Sequence, residues 1–331
     1  MSMARRRVVK VGRSAVYLFI ALSLSVTYYF NCYMLVTLEA PPRLSEKAFK
    51  SFSNSFEQYK PDLQPAWRSR IFSNFLGGTI VPLNAGREIL VKRIGMWNAI
   101  WLLVCFLAYL FWDSRHSLIL MFGTFAALYY SFTPITGLRI YPWDMPAVFL
   151  FVMIYIAFTK KRLWLLCATV LVGVGFKETV TLGSLALLFW ENTSLRRRML
   201  YFLLMIGACV ILKISIDLLV ESPHLGLTMS FDNEGPVSFA TGLPGGIISN
   251  LRTWIMVHAN HTIFVNAGTF VVFLLLPISD RQDLMWKIVG ILFLLGNMFC
   301  GIITEHRIFH EIIPISLWAI IKKVELWQSE Y

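Results

Sequence analysis

The run Leu163–Trp190, LWLLCATVLVGVGFKETVTLGSLALLFW, decides how this chain is arranged. Two apolar stretches of 14 and 12 residues flank an adjacent lysine and glutamate, Lys177 and Glu178. At 1.5 Å per residue each helix would reach only about 18 to 21 Å, short of a hydrocarbon core of roughly 30 Å. Read as one continuous span, the run would carry both charges through a bilayer and reverse the side of everything downstream. Read as two short helices meeting at a tip below the surface, it satisfies both charge and length. The hairpin is the expectation.

Composition places the rest of the chain in the same setting. With 57% hydrophobic and 15% charged residues and a mean hydropathy of +0.63, the 331 residues fit a polytopic helical membrane protein better than a water-soluble domain. The net charge of +11 sits in short clusters between apolar runs and forms no basic face interleaved with aromatics, which argues against nucleic acid. The five cysteines, Cys32, Cys105, Cys167, Cys209 and Cys300, lie in apolar segments without ligand spacing, so neither a disulfide framework nor a zinc site is indicated. No Gly-rich phosphate loop follows a strand pattern, and no haem, flavin or nucleotide cofactor is expected.

The basic start, MSMARRRVVKVGR, precedes an apolar run from Ser14 to Leu38, read as a retained first span. Further segments follow at 96–112, 117–133, 145–159, 163–176, 179–190, 199–220, 261–278, 285–303 and 308–321, giving an all-α fold of about ten spans in one transmembrane domain over 1–331. Ten crossings place Arg5, Arg6, Arg7 and the later clusters DSRH (113–116), KKR (160–162), LRRR (195–198), DRQD (280–283) and Lys322-Lys323 on one side. Short basic loops then obey the positive-inside rule, with both termini cytoplasmic and a bacterial plasma membrane as the setting. The stretch 71–90 is read as an interfacial or re-entrant piece, because an eleventh span would invert every later cluster. The outer side then holds long loops at 39–95 and 221–260, after segments 1 and 7.

The outer side also collects the chemistry. Glu39, Glu57, Asp62, Arg68 and Arg70 fall in the first loop, Arg139 and Asp144 in LRIYPWDMP, Lys177-Glu178 at the hairpin tip, and Glu305 and Arg307 in TEHRIFHEIIP. Each has a plain structural reading. Arg307 and Glu311 stand four apart and can pair along a helix; His306 and His310 lack a third metal ligand. Asp144 fits the N-cap of the next helix, with Pro146 in its first turn, and YKPDLQPAWRSR fits an amphipathic loop on lipid headgroups. Against these stands the cost of an ionisable group facing lipid, which favours a cavity or a partner, most strongly for Lys177 and Glu178.

The basic N-terminus, the long first loop with carboxylates, the short hairpins and the late outer motif resemble GT-C-fold integral membrane glycosyltransferases. Glu305, Arg307, Phe309 and Pro314 resemble the HKExRF...P signature of lumenal mannosyltransferases, GFKET at 175–179 resembles the basic-Glu tip of bacterial relatives, and YPWDMP resembles their Asp-containing outer loop. Here the histidine follows the glutamate, and no paired acidic DE opens the first loop. The resemblance implies sugar transfer from a polyprenyl-phosphate donor at the outer face, by a short bacterial-type relative. It implies a general base in the first loop, Asp62 first and Glu39 second, with Lys177 and Arg307 on the phosphate and Arg139 in reserve. Glu178, Glu305 and Asp144 would orient these groups or contact the sugar, with lipid-linked sugar and membrane lipids as partners and no metal indicated. Two other classes stay open. One is a non-catalytic subunit or assembly factor among other membrane proteins, favoured by the short length; the other is a lipid or solute transporter or flippase, disfavoured by the lack of an internal repeat.

Overall fold

Long runs of Leu, Ile, Phe, Val and Ala without interior turn signals form helices, and no strand occurs among the described residues. A computed structural model describes residues 14–30, 72–76, 87–112, 115–131, 143–191, 193–219, 269–300 and 310–330. In chain order the helices are α1 (Ser14–Phe30), α2 (Arg87–Trp112), α3 (Ser117–Ser131), α4 (Asp144–Thr159), α5 (Leu163–Val174), a 3-10 helix (Glu178–Phe189), α6 (Leu195–Leu219), α7 (269–275), α8 (Arg281–Cys300) and α9 (Ile313–Glu330). A single π-helical turn covers Phe72–Leu76. Two helical stretches, Arg93–Trp112 and Leu195–Leu219, are long and apolar enough to cross a membrane, which hints at membrane association.

Several boundaries differ from the sequence expectation, and charge explains most of them. The segment expected from 96 begins at Arg87, so the last residues assigned to the first loop, from Arg87 on, are helical. Arg, Glu and Lys are good helix formers, and Ile89, Leu90, Val91 and Ile94 between them carry the backbone through. The same effect draws Arg196–Arg198 into α6 and Lys322-Lys323 into α9, which runs on to Glu330. The first loop, apart from 72–76 and 87–95, and the whole of 221–260 lie outside the described residues.

The hairpin at 163–190 has two unequal arms. α5 has 12 residues and rises about 18 Å. The returning arm has the same number but is a 3-10 helix, which at roughly 2.0 Å per residue rises about 24 Å. This arm is the hub of the described bundle, packed by α4, α5, α6 and α8. Two glycines allow that crowding. A Cβ on Gly173 of α5 would lie 2.2 Å from Val180 Cγ1, and one on Gly183 would lie 2.4 Å from the Ile154 side chain of α4.

The basic clusters meet at one end. Arg115 and His116 bind Glu325 at 3.1 and 2.8 Å, Lys322 binds Asp280 at 2.5 Å, and Lys323 lies 3.3 Å from Asp283. Gln282 donates to Thr159 Oγ1 at 2.9 Å, Lys161 pairs with Glu191, and Arg281 sits 5.8 Å over the Phe189 ring. Lys161 closes α4 in the left-handed region (φ 54), with Arg162 N–H reaching Ala157 O at 2.8 Å, so the chain turns within three residues. Beneath these loops Trp112, Tyr155, Trp286, Trp318 and His116 form one aromatic layer, with ring centroids 4.7 to 5.4 Å apart from neighbour to neighbour.

Asp280 caps α8 by accepting the Asp283 N–H at 2.8 Å, while Asp283 accepts that of Ser279 at 3.1 Å. Burial pushes the Asp280 carboxyl up, but the Lys322 ammonium and the backbone N–H groups outweigh it and hold it below the usual aspartate range. A depressed carboxylate stabilises the fold above its unfolded pKa and loses that contribution as pH falls through the folded value. Lys322→Met should therefore lower the Tm at neutral pH, and the difference from the wild type should shrink as pH falls below the ordinary aspartate range. Thermal unfolding of the purified chain in detergent across that range reads both. Gly173→Val should cost about 1–3 kcal/mol through overpacking, and Val180→Ala in the same chain should recover most of it. No recovery in the double variant would show that the contact does not set the α5 crossing.

Candidate functional site

The opposite end is built around the hairpin tip. α5 stops at Gly175, the Phe176 and Lys177 N–H groups both reach Gly173 O, at 2.9 and 2.8 Å, and Lys177 is extended with φ −160. The 3-10 helix then starts at Glu178, an acid in the first turn where the exposed N–H groups favour negative charge. The π turn closes over this tip. Phe72 N–H donates to Gly175 O at 3.0 Å, and a Cβ on Gly175 would lie 2.4 Å from the Phe72 ring. Phe176 meets Phe72 at 5.6 Å and Trp101 of α2 at 5.4 Å, edge to face, which makes an aromatic floor below the charges.

Adjacent residues in an extended backbone point in opposite directions, and the tip uses both. Lys177 Nζ pairs with Glu311 Oε1 in the 3-10 turn 310–312 that leads into α9, and Thr179 Oγ1 donates to Glu311 Oε2 at 2.5 Å. Glu178 Oε1 accepts from Lys213 Nζ of α6 at 3.0 Å, and the same ammonium lies 3.7 Å from Asp217 Oδ1, four residues along that helix. The Glu311 side chain is 1% exposed and those of Lys177 and Lys213 are 11% exposed. Two ion-paired groups therefore flank the tip, Lys177 with Glu311 toward α9 and Lys213 with Glu178 and Asp217 toward α6. Together they strap the tip to α6 and to the entry of α9.

Of the expected site residues, Lys177 and Glu178 enter these pairs. Asp144 lies at the start of α4, buried, and here the N-cap expectation is corrected. The cap position is Trp143, without a side-chain cap, and Asp144 is the first helical residue. The α4 N-terminus is served from a neighbouring helix instead, since Met145 N–H donates to Asn98 Oδ1 of α2 at 3.3 Å. Asp62, Glu39, Arg139, Glu305 and Arg307 lie outside the described residues, as does His306. Glu311, for which a pair with Arg307 along one helix was one reading, is engaged by Lys177 and Thr179 from the tip, while Arg307 lies outside the described residues.

Sequence reasoning missed Lys213 and Asp217, although an i,i+4 acid–base pair near the end of a 25-residue apolar helix is itself a signal for a polar partner. It also missed Arg93. This residue of α2 is 3% exposed, and none of its three guanidinium nitrogens has a hydrogen-bond partner. Among the described residues no group of three or more His, Cys, Asp or Glu is arranged to hold a metal ion. No protein-family model, curated protein or solved structure matches the chain.

Breaking a buried pair from one side leaves an uncompensated charge. Lys177→Met should therefore destabilise by about 3–5 kcal/mol, and adding Glu311→Met should recover a large part of that loss. A double-mutant cycle on Tm or urea midpoints checks this. A neutral single variant would show that the pair does not hold the tip.

Proposed function

We propose that the chain is a polytopic membrane protein of about ten spans, with both termini on the cytoplasmic face of a bacterial-type plasma membrane. On this reading it transfers a sugar from a polyprenyl-phosphate donor to an acceptor at the outer face, as a GT-C-like glycosyltransferase. The observation that carries the reading is the gathering of Lys177, Glu178, Lys213, Asp217 and Glu311 at the end of the bundle away from the basic loops. Side chains such as Phe19, Phe111, Leu204, Ile211 and Leu275 are exposed on the helices, and lipid is the solvent that suits them.

The chemistry needs a carboxylate base for the acceptor hydroxyl and cations for the departing phosphate. Asp62 remains the assigned base, with Glu39 second, and Arg307, Lys177 and Arg139 remain the phosphate candidates. Glu178, Glu305 and Asp144 orient these groups or contact the sugar. The pairing of Lys177 with Glu311 gives that lysine a positioning role as well, because it fixes the tip against the entry to α9.

One observation favours a second reading, a non-catalytic membrane subunit: both lysines of the cluster are already matched by acids of the same chain. The deciding experiment incubates purified chain in vesicles with radiolabelled polyprenyl-phosphate sugars and follows label into acceptor or water. Transfer by the wild type, reduced at least about 100-fold by Asp62→Asn in a chain that still elutes as the folded species, is expected. Absence of turnover across hexose and pentose donors would favour the subunit reading, and wild-type turnover in Asp62→Asn would remove the assigned base.

A further inference from the structure

We propose that Arg93 is the binding group of a phosphate-recognising site at the tip end of the bundle, and that the phosphate it takes belongs to a membrane lipid headgroup. Arg93 is 3% exposed, and Nε, Nη1 and Nη2 all lack hydrogen-bond partners. Other buried or half-buried cations among the described residues face a counter-group within the chain: Lys177 meets Glu311, Lys213 meets Glu178, Lys287 meets the carbonyls of Leu274 and Leu276, and Lys323, whose Nζ makes no hydrogen bond, still has the Asp283 carboxylate at 3.3 Å. A lysine can shed its proton when buried, whereas a guanidinium stays charged and requires an anion. Its planar fork of donors matches two oxygens of a phosphate at once.

The surroundings favour a lipid over a free ion. Arg93 lies 19 residues before Trp112 on one helix, about 28 Å along its axis, which is close to one hydrocarbon thickness. On the membrane placement proposed above, the loops beyond Trp112 occupy one headgroup layer and Arg93 reaches the other. Met96 and Ile100, three and seven residues on, share its stripe of α2 and are exposed, so an apolar track leads from the guanidinium toward the bilayer centre. Trp97, one turn below Arg93, is buried and meets Trp101 edge to face at 5.6 Å, so indole rings pack on the same helix beneath Arg93. A phosphate at Arg93 with acyl chains along Met96 and Ile100 uses every one of these features. The inference rests on the membrane placement and is independent of sugar transfer.

The test uses the full chain, delipidated in detergent, with three probes: phosphatidylglycerol, a glucosyl-diacylglycerol of the same acyl chains without phosphate, and millimolar inorganic phosphate. Native mass spectrometry should show phosphatidylglycerol retained by the wild type and raising its Tm, with the glucolipid doing neither. Arg93→Met should retain at least about tenfold less and give no lipid-dependent shift, yet unfold no earlier than the wild type in lipid-free detergent, because the unmatched charge is gone. Arg93→Lys, which keeps the charge and loses the fork, should bind more weakly than the wild type. Equal stabilisation of wild type and Arg93→Met by both lipids would overturn the proposal, as would wild-type affinity in Arg93→Lys or Arg93→Met unfolding early with and without lipid. Inorganic phosphate that matches the Tm rise and displaces phosphatidylglycerol would overturn the lipid source and leave a small-anion site. Loss of lipid retention in Arg93→Met alongside no sugar transfer by the wild type would sustain this inference while counting against the transferase.

Discussion

Lys177 and Glu311 are 134 residues apart in the chain and are kept from water by the same packing. Neither can be buried alone, because the desolvation of one unpaired charge exceeds what most single contacts return. Their pairing therefore fixes where the middle of the chain and its last helix meet, and Thr179 holds the second carboxylate oxygen so that the acid has one orientation. The neighbouring pair, Glu178 with Lys213, ties the same two-residue tip to α6. One lysine and one glutamate at the bend of a short hairpin thus set the relative positions of three elements. The aromatic floor of Phe72, Phe176 and Trp101 keeps water from entering beneath them.

The two ends of the bundle solve the problem of charge differently. At the loop end, acids and bases meet in a network that is mostly part-exposed, with Glu325, Asp280 and Asp283 each shared between two cations or between a cation and a backbone N–H group. Such pairs are individually weak, and their value lies in linking four loops and α9 at once. At the tip end the pairs are few and buried, so each carries more consequence. The 3-10 geometry of Glu178–Phe189 connects the two ends, since its larger rise lets 12 residues pass from the tip to Arg281 at the loop end.

Much of this organisation was legible in the sequence. The apolar runs gave the helices, the twin short runs around Lys177-Glu178 gave the hairpin and its tip, and the spacing of basic clusters anticipated that Arg115, Lys161, Arg281 and Lys322 meet at one end. Three things were not legible. Helix ends were misplaced wherever Arg, Lys and Glu open or close a helix, as at Arg87 and Lys322, because hydropathy registers charge and the backbone does not. The 3-10 form was hidden because ETVTLGSLALLF has no period that distinguishes it from an α-helix; the crowding at Gly173 and Gly183 becomes visible only when Val180 and Ile154 are placed. Partners distant in sequence were hidden too: nothing in the sequence tied Glu311 to Lys177 and Thr179, which meet it from the hairpin tip.

A distinction among buried charges follows from this. Lys177, Lys213 and Glu311 have intramolecular partners, and a group already matched gains little by meeting a ligand unless the ligand displaces that match. Such groups position the fold. Arg93 has the opposite profile: it is buried as deeply, cannot neutralise itself by losing a proton, and leaves all its donors unused. The free guanidinium is therefore the side chain with the most to gain from an anion brought from outside.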